Sequence, residues 1–379
     1  MSSGSAIQQL AGREAFRSFA ERYIVHEADR WDSEEAIPQS IIQQMGAEGY
    51  LGAVISKEFG GLELDMKSLG ALSEEMGRAC SSVRSLLTVH GMASIAVERF
   101  GTAEQRQKWL PLLASGQTIG AFGLSEAGAG TDTKAITTTA TITEEGYVLE
   151  GGKKWITFGQ IADLFLIFAK LDGEPTAFLV PRTTPGLSID HLKGIFGTTA
   201  SMIAELRMEN CLIPHEAILG SKGLGVPYIA MSCLDYGRYT IAWGCVGILQ
   251  ACLDACLSYT SKRETFGTLL KNQQLIQKMI TEMTVNTKAA RLLCEDAGRL
   301  KDEGDSQGLL ATWAAKYFAS ISATKAANEA VQIHGANGCS RDYPVQRYLR
   351  DAKVMEIIEG TTQMHELVIS SDAYSLSDF

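Results

Sequence analysis

A carboxylate that follows two apolar residues and precedes a glycine has the makings of a general base. Ile357-Ile358-Glu359-Gly360-Thr361-Thr362-Gln363 has that form. Glu359 is expected near a helix end, partly out of water, where burial disfavours the charged form and raises a carboxyl pKa toward neutrality. A base of that pKa is efficient near pH 7. The plainer alternative for a Glu before Gly is a solvated turn residue. A second segment, Phe122-Gly123-Leu124-Ser125-Glu126-Ala127-Gly128-Ala129-Gly130-Thr131-Asp132, is glycine-rich. Its glycines let backbone approach a ligand, and free N–H groups with the Ser125 and Thr131 hydroxyls suit anionic or carbonyl oxygens. It is not Gly-x-Gly-x-x-Gly, and strands rather than a helix follow it. A nicotinamide-type dinucleotide fold therefore fails its context test.

Three further segments carry weaker signals. In Lys153-Lys154-Trp155-Ile156-Thr157-Phe158, the Trp could stack on a planar ring while the Thr donates to it. A core Trp is the plain alternative. Arg263 in Arg263-Glu264-Thr265-Phe266-Gly267, with Gln274 beyond it, could hold a pyrophosphate, or be a solvated helix-end Arg. Ala330-Val331-Gln332-Ile333-His334-Gly335-Ala336-Asn337-Gly338 reads as a helix stopped by glycine. His334 has no neighbouring Cys or His, so no metal site is expected.

The elements that must position these residues fall into three regions of different texture. At 379 residues the chain exceeds the roughly 250–300 that one core supports, so two or three packed units are expected. Residues 1–118 read as helical. Ala11 to Ala28 has apolar residues at three- and four-residue spacing, and Thr102-Ala103-Glu104-Gln105 is a capping box opening a helix to about Ala114. Residues 119–222 read as short strands joined by tight turns, namely Thr137 to Thr143, Tyr147 to Leu149, Leu164 to Ala169 and Ala177 to Val180. That is the pattern of an antiparallel sheet or small barrel. Residues 223–379 read as a helix bundle: Asp235 to Thr260, Asn272 to Lys301 and the Ala-rich Leu309 to His334. The fold class is α+β, mostly α.

Composition excludes some functions. Apolar residues are 45% and charged residues 21%, as in ordinary globular proteins. The net charge is -10, with no Lys/Arg run long enough to make a basic face, which argues against nucleic acid and anionic membranes as partners. No stretch reaches ~18 consecutive apolar residues. The first residues have neither a signal-peptide nor a transit-peptide pattern, so a cytoplasmic protein is expected. Eight cysteines without a Cys-x-x-Cys pair read as reduced core thiols.

In their order and spacing these segments resemble the acyl-CoA dehydrogenase family, over about residues 10 to 372. The resemblance implies a helical N-terminal domain, a middle β-barrel and a C-terminal four-helix bundle, with FAD as cofactor and a homodimeric or homotetrameric assembly. It places Phe122, Leu124, Ser125 and Thr131 along the flavin, with Thr131 near the thioester arm. Trp155 and Thr157 fall beside the ring. Arg263, Phe266, Gln274, Gln332, Gly335 and Ala336 would reach the FAD of a neighbouring subunit, and Thr361 and Gln363 that of their own. Thr131, Asp235, Arg238 and Gly360 fall at substrate-side positions. Glu359 falls on the catalytic base, which takes an α-proton as a β-hydride moves to flavin N5. Some branches carry the base on the helix holding Leu234-Asp235-Tyr236-Gly237-Arg238, where this chain has Gly237. The sequence departs from the family near Thr199, where an Arg is usual, at Phe158 and in the tail Val368-Ile369-Ser370-Ser371. Leu234 to Arg238 and Trp243-Gly244-Cys245-Val246-Gly247 are similar to a branch acting on acyl carrier proteins, which oxidises small polar hydroxy- or aminoacyl units for polyketide extender units. The implied substrate is an acyl thioester of coenzyme A or an acyl carrier protein, and the implied electron acceptor an electron-transfer flavoprotein or oxygen. A flavin oxidase or monooxygenase on the same scaffold is the alternative. Glu359 weighs against it, because the oxygenases often lack this base.

Overall fold

The fold is that of a computed structural model, which describes residues 12–375. The ends of the first and last expected regions, including Ala11, lie outside the described residues. The expected helix to Ala28 is two helices, α1 (Arg13–Tyr23) and α2 (Ala28–Glu34). The apolar stripe runs through both, but Ile24 and Val25 both donate to the Ala20 carbonyl, which breaks the regular ladder between them. Helix α3 (Gln39–Ala47) follows Pro38, and α4 (Met66–Ala79) is capped by Asp65, whose carboxylate accepts from Ser68 N at 2.7 Å. Helix α5 (Ser81–Phe100) is buried from Ser81 to Val97. Helix α6 (Ala103–Ser115) opens on the expected box. Thr102 Oγ1 accepts from Gln105 N at 3.2 Å, and Gln105 Oε1 accepts from Thr102 N at 3.0 Å.

The middle region is a sheet, but not the antiparallel barrel expected. Its strands are β1 (Gly120–Gly123), β2 (Thr139–Ile142), β3 (Tyr147–Ile156), β4 (Leu164–Leu171), β5 (Glu174–Pro181), β6 (Leu187–His191), β7 (Ala204–Ile213) and β8 (Ile218–Leu219). Their order is β6-β7-β3-β2-β4-β5-β8, with β1 beside β4. The outer strands β6 and β8 do not pair, so the sheet stays open, and β1 and β2 run parallel to β4. Parallel pairing comes from the long excursion between β1 and β4, which alternation along a single strand does not disclose. Between β3 and β7 the register shifts twice, the second time between Lys153 and Ile156.

A wide helical turn, Gly225–Ala230, leads into α7 (Met231–Thr260). The small hairpin β9 (Glu264–Thr265) and β10 (Thr268–Leu269) precedes α8 (Gln274–Asp302), then come α9 (Gly308–His334), α10 (Val345–Met355) and α11 (Thr362–Ser375). Helices α7, α8 and α9 pack on one another, and α11 packs on α9. By length and composition alone α7 could cross a membrane, but 78% of its apolar window is buried in protein. It is the core helix, so its apolar surface is already covered. The helical N-terminal and C-terminal regions share one hydrophobic core, to which one face of β4 and β5 contributes Leu164, Leu166, Phe168, Ala177 and Leu179, while a second cluster lies in the sheet.

Glycines set how closely α4 and α7 approach. A Cβ on Gly77 would lie 2.7 Å from Gly244 Cα, and one on Gly247 would lie 2.3 Å from Glu74 O. Both obstacles are backbone, so the helices would have to separate. Gly247→Ala should therefore lower the urea midpoint by the equivalent of at least about 1–3 kcal/mol, despite the helix propensity gained. A midpoint at or above the parent value would refute this account of the contact.

Candidate active site

Glu359 stands in the turn between α10 and α11 with φ +56, and Gly360 follows at φ +95. A left-handed Glu is uncommon and needs outside support. Two buried cations supply it: Arg238 Nε donates to Glu359 O at 3.1 Å, and Lys316 Nζ donates to Gly360 O at 2.8 Å. Below the turn, Thr362 N donates to Glu356 O at 3.0 Å. The side chain is turned onto α7 at Gly237, where a Cβ would lie 2.5 Å from Glu359 Oε2. Any other residue at 237 would displace the carboxylate. Oε2 is buried with no hydrogen-bond partner. Burial pushes this carboxyl up to about 7, against the pull of Arg238, Lys316 and Arg84. It is not a solvated turn residue.

Arg238 is itself fixed by aromatic packing. Its guanidinium lies 3.9 Å from the Trp313 ring centre, and Trp313 leans on His365 at 4.6 Å. His365 Nδ1 is 3.0 Å from Thr361 O. Thus Thr361 takes part in the turn through its carbonyl, and Gln363 is exposed one turn away. Asp235, on the α7 side, is ion-paired with Lys301. Lys316 has no expected role from sequence, although a charge fully buried in the Ala-rich α9 is a structural signal of one.

The glycine-rich loop is pinned to the sheet by a buried ion pair. Lys153 Nζ donates to Glu126 Oε1 at 2.6 Å and to Leu124 O at 3.2 Å. Glu126 also accepts from the N–H and hydroxyl of Thr137 and Thr138, at 2.6–3.1 Å. Burial opposes its ionisation, but Lys153 and these donors hold the carboxyl down at about 2. Lys154 N donates to Ser125 O at 2.9 Å, which joins the loop to the end of β3. Here the second bulge turns Trp155 to φ +65 and leaves its ring 56% exposed. A bulge re-aims one side chain without ending the strand. Thr157 follows, half-buried, on the turn after β3. Phe122 is half-buried against Phe168, Leu124 is buried, Ser125 is half-buried and Thr131 is exposed.

The remaining expected residues form a separate patch. Arg263, Phe266, Gln274, Gln332, Gly335 and Ala336 are all exposed. Tyr259 links Arg263 to the end of α9: its carbonyl accepts from Arg263 N, its hydroxyl donates to His334 O, and its ring stacks on His334 at 4.2 Å. Gly335 ends α9 at φ +60. From Gly237 to Thr260 the α7 axis runs ~35 Å at 1.5 Å per residue. Glu359 and the Arg263 patch therefore lie at opposite ends of one helix.

Comparison with known proteins shows the family to which the chain belongs. Family models of acyl-CoA dehydrogenase match as an N-terminal domain over residues 7–117, a middle domain over 121–211 and a C-terminal domain over 224–373. The short-chain specific acyl-CoA dehydrogenase of mouse mitochondria is 37% identical over 364 residues, covering 94% of this chain and 88% of that one. The structure of butyryl-CoA dehydrogenase from Megasphaera elsdenii superposes with a TM-score of 0.93 at 32% identity, covering 99% of each chain. FkbI, for biosynthesis of the methoxymalonyl extender unit of the polyketide Fk520, superposes at 0.89 and 33% identity, covering 95% of this chain and 99% of that one. The chain belongs to the acyl-CoA dehydrogenase family, and it is an FAD-dependent oxidoreductase.

Proposed function

We propose that the protein oxidises a short acyl thioester at its α and β carbons, with Glu359 as the base. The observation that carries this reading is the buried, unpartnered carboxylate of Glu359, pushed up to about 7 and facing a glycine. An α-proton beside a thioester is a weak acid, and a base matched to neutral pH is what its removal requires. Arg238 and Lys316 hold the two carbonyls that flank the base, so the carboxylate keeps its aim while the proton moves.

The described residues fit an FAD. Gly128 and Gly130 have open space where a Cβ would be, Trp155 offers an exposed ring, and Ser125 and Thr157 flank it with hydroxyls. Ser125, Thr131, Trp155 and Thr157 would lie along the flavin, with Phe122 and Leu124 beneath. When bound, FAD supplies the acceptor for the β-hydride. Arg263, Phe266, Gln274, Gln332, Gly335 and Ala336 lie too far along α7 to serve the same dinucleotide as Glu359. They would hold the FAD of a second subunit, which makes the working form a homodimer or a tetramer of dimers. The exposed Phe266, Leu275, Val285 and Leu292 fit such a contact. The acyl group is carried by coenzyme A or an acyl carrier protein. Similarity to FkbI supports a polar acyl unit, and similarity to the prolyl acyl carrier protein oxidase AnaB supports the carrier protein. The electrons leave to an electron-transfer flavoprotein or oxygen. Seven buried free thiols suit a reducing, cytoplasmic setting.

Short acyl-CoAs and matching carrier-protein conjugates, mixed anaerobically with the yellow protein, should bleach its flavin band. Glu359→Gln should keep the colour and slow bleaching by about 10²–10⁴-fold; normal bleaching would remove Glu359 as base. In the parent enzyme the bleaching rate should rise with pH about a midpoint near 7, because the raised carboxyl pKa leaves Glu359 protonated below that point. A flat profile from pH 5 to 9 would contradict it. Lys153→Met strands the buried Glu126 carboxylate and should destabilise the protein by about 3–5 kcal/mol in urea, with loss of retained FAD. Unchanged stability and colour would show that the ion pair does not hold the loop.

A further inference from the structure

A closed circuit of contacts runs around the turn that carries the base. Arg238 Nε donates to Glu359 O, and the Arg238 guanidinium lies 3.9 Å from the Trp313 ring centre. The Trp313 ring meets His365 at 4.6 Å and 56°, and His365 Nδ1 returns to Thr361 O at 3.0 Å. A Cβ on Gly360 would lie 3.3 Å from His365 Cε1, so the imidazole also packs against the turn. Trp313 and Lys316 are three residues apart on α9 and share one face. The first holds Arg238, and the second holds Gly360 O. All four of these side chains are buried.

Arg238 is held without a counter-ion. Its Nη1 is buried with no hydrogen-bond partner, and Asp235, three residues earlier on α7, is ion-paired with Lys301 instead. An aromatic face stands where a carboxylate would be expected. A guanidinium donates in its own plane and stacks through its faces. Trp313 can therefore hold it and leave the in-plane Nε–H on the Glu359 carbonyl. A second carboxylate would add negative charge beside the base, whereas the indole adds none and attracts a desolvated cation strongly. His365 is uncharged as well. A carbonyl only accepts, so Nδ1 carries the proton, and burial, with Lys316 and Arg238 close by, pushes the imidazole down to about 4. Resting on Glu359 as the base, we propose that Trp313, buttressed by His365, is the positioning residue of this active site: its ring face holds Arg238, and through Arg238 it fixes the aim of the base and the charge beside it. The other groups that face Glu359 are fixed independently. Cys233 on α7 stays neutral, its thiol pushed far up by burial. Lys316 is tied to Gly360 O. Arg84 on α5 is 1% exposed and meets Thr88 Oγ1 at 3.0 Å and Met355 Sδ at 3.1 Å. Burial raises the Glu359 carboxyl and these three cations lower it, Arg238 foremost, so loosening Arg238 raises it further.

The test compares Trp313→Phe, which keeps an aromatic face, with Trp313→Leu, which does not, in the FAD-loaded protein. Three quantities are read: the rate of anaerobic flavin bleaching by a short acyl-CoA from pH 5 to 9, the Tm, and the infrared titration of the protonated carboxyl band that Glu359→Gln removes. Trp313→Leu should bleach about 10–10²-fold more slowly at pH 7, as expected when a catalytic group loses its aim. Its midpoint should move up by about 0.5–1 on the pH scale, in both the bleaching profile and the infrared titration, because a nearby cation has been loosened. Trp313→Phe should stay within about threefold of the parent, with the parent midpoint. His365→Leu removes only the buttress and should shift rate and midpoint in the same direction by less, and it carries the test if Trp313→Leu does not fold. Parent-like rate and midpoint in the leucine variants, a lowered Tm as their only change, or a Phe variant as impaired as the Leu variant would each overturn the inference. If no thioester bleaches the parent, the dehydrogenase reading falls, while the infrared titration still decides whether Trp313 governs the carboxyl of Glu359.

Discussion

A carboxylate kept out of water and left without a hydrogen bond is the constraint around which this molecule is arranged. Burying an ionised group is unfavourable by several kcal/mol even after the surroundings relax. At Glu359 the burden is shared by making proton uptake easy rather than by a salt bridge. The carboxyl rises to about 7 even though three cations surround it, so desolvation outweighs their attraction. The arrangement draws on four distant stretches of chain: Arg84 from α5, Gly237 and Arg238 from α7, Trp313 and Lys316 from α9, and the 359–360 turn after α10. No single domain could supply them. The N-terminal helices and the C-terminal bundle accordingly share one core, and one face of the sheet packs into it.

The loop beside β3 solves a different problem by the opposite device. There the ion pair of Glu126 and Lys153 is fully satisfied, with four donors from Thr137 and Thr138 besides the ammonium. A satisfied network rigidifies. It leaves Glu126 strongly acidic and unfit as a base near neutral pH, and so fit for a purely architectural task. The contrast between the two glutamates separates chemistry from scaffolding: Glu126 is buried with its oxygens engaged, whereas Glu359 holds a buried Oε2 with no partner.

Much of this was legible from sequence where the signal is local. The Thr102–Gln105 box declares its helix because both partners lie within four residues, and the long helices from 231 onward declare themselves by length and apolar content. Glu359 could be singled out because an apolar pair and a glycine bracket it. What escaped depends on distance along the chain. The Glu126–Lys153 pair spans 27 residues, and neither segment's local pattern points to the other. The parallel pairing of β1 with β4 crosses 44 residues, from Gly120 to Leu164, so alternation pointed to an antiparallel sheet or small barrel and not to an open mixed sheet. Trp155 sits in a segment whose pattern fits a strand, and the strand is there. The bulge that turns its ring outward depends on the register of β7, some fifty residues away. Helix α1 ends early for a reason the periodicity hides, since the stripe continues while the hydrogen-bond ladder does not.

The cationic excess around Glu359 bears on stability as well as chemistry. A protein selected only for a firm core would replace Arg84 with an apolar residue, because a buried charge without a partner opposes folding and a methionine of similar length does not. Away from Glu359 the same chain pairs its buried charges with care, so neglect is a poor explanation. Local departures from an otherwise consistent design concentrate where function needs them. By that argument the unpaired guanidinium and the unpaired carboxylate belong to one site. Both lie along one face of α7, the carboxylate against Gly237 and the guanidinium beside Gly244.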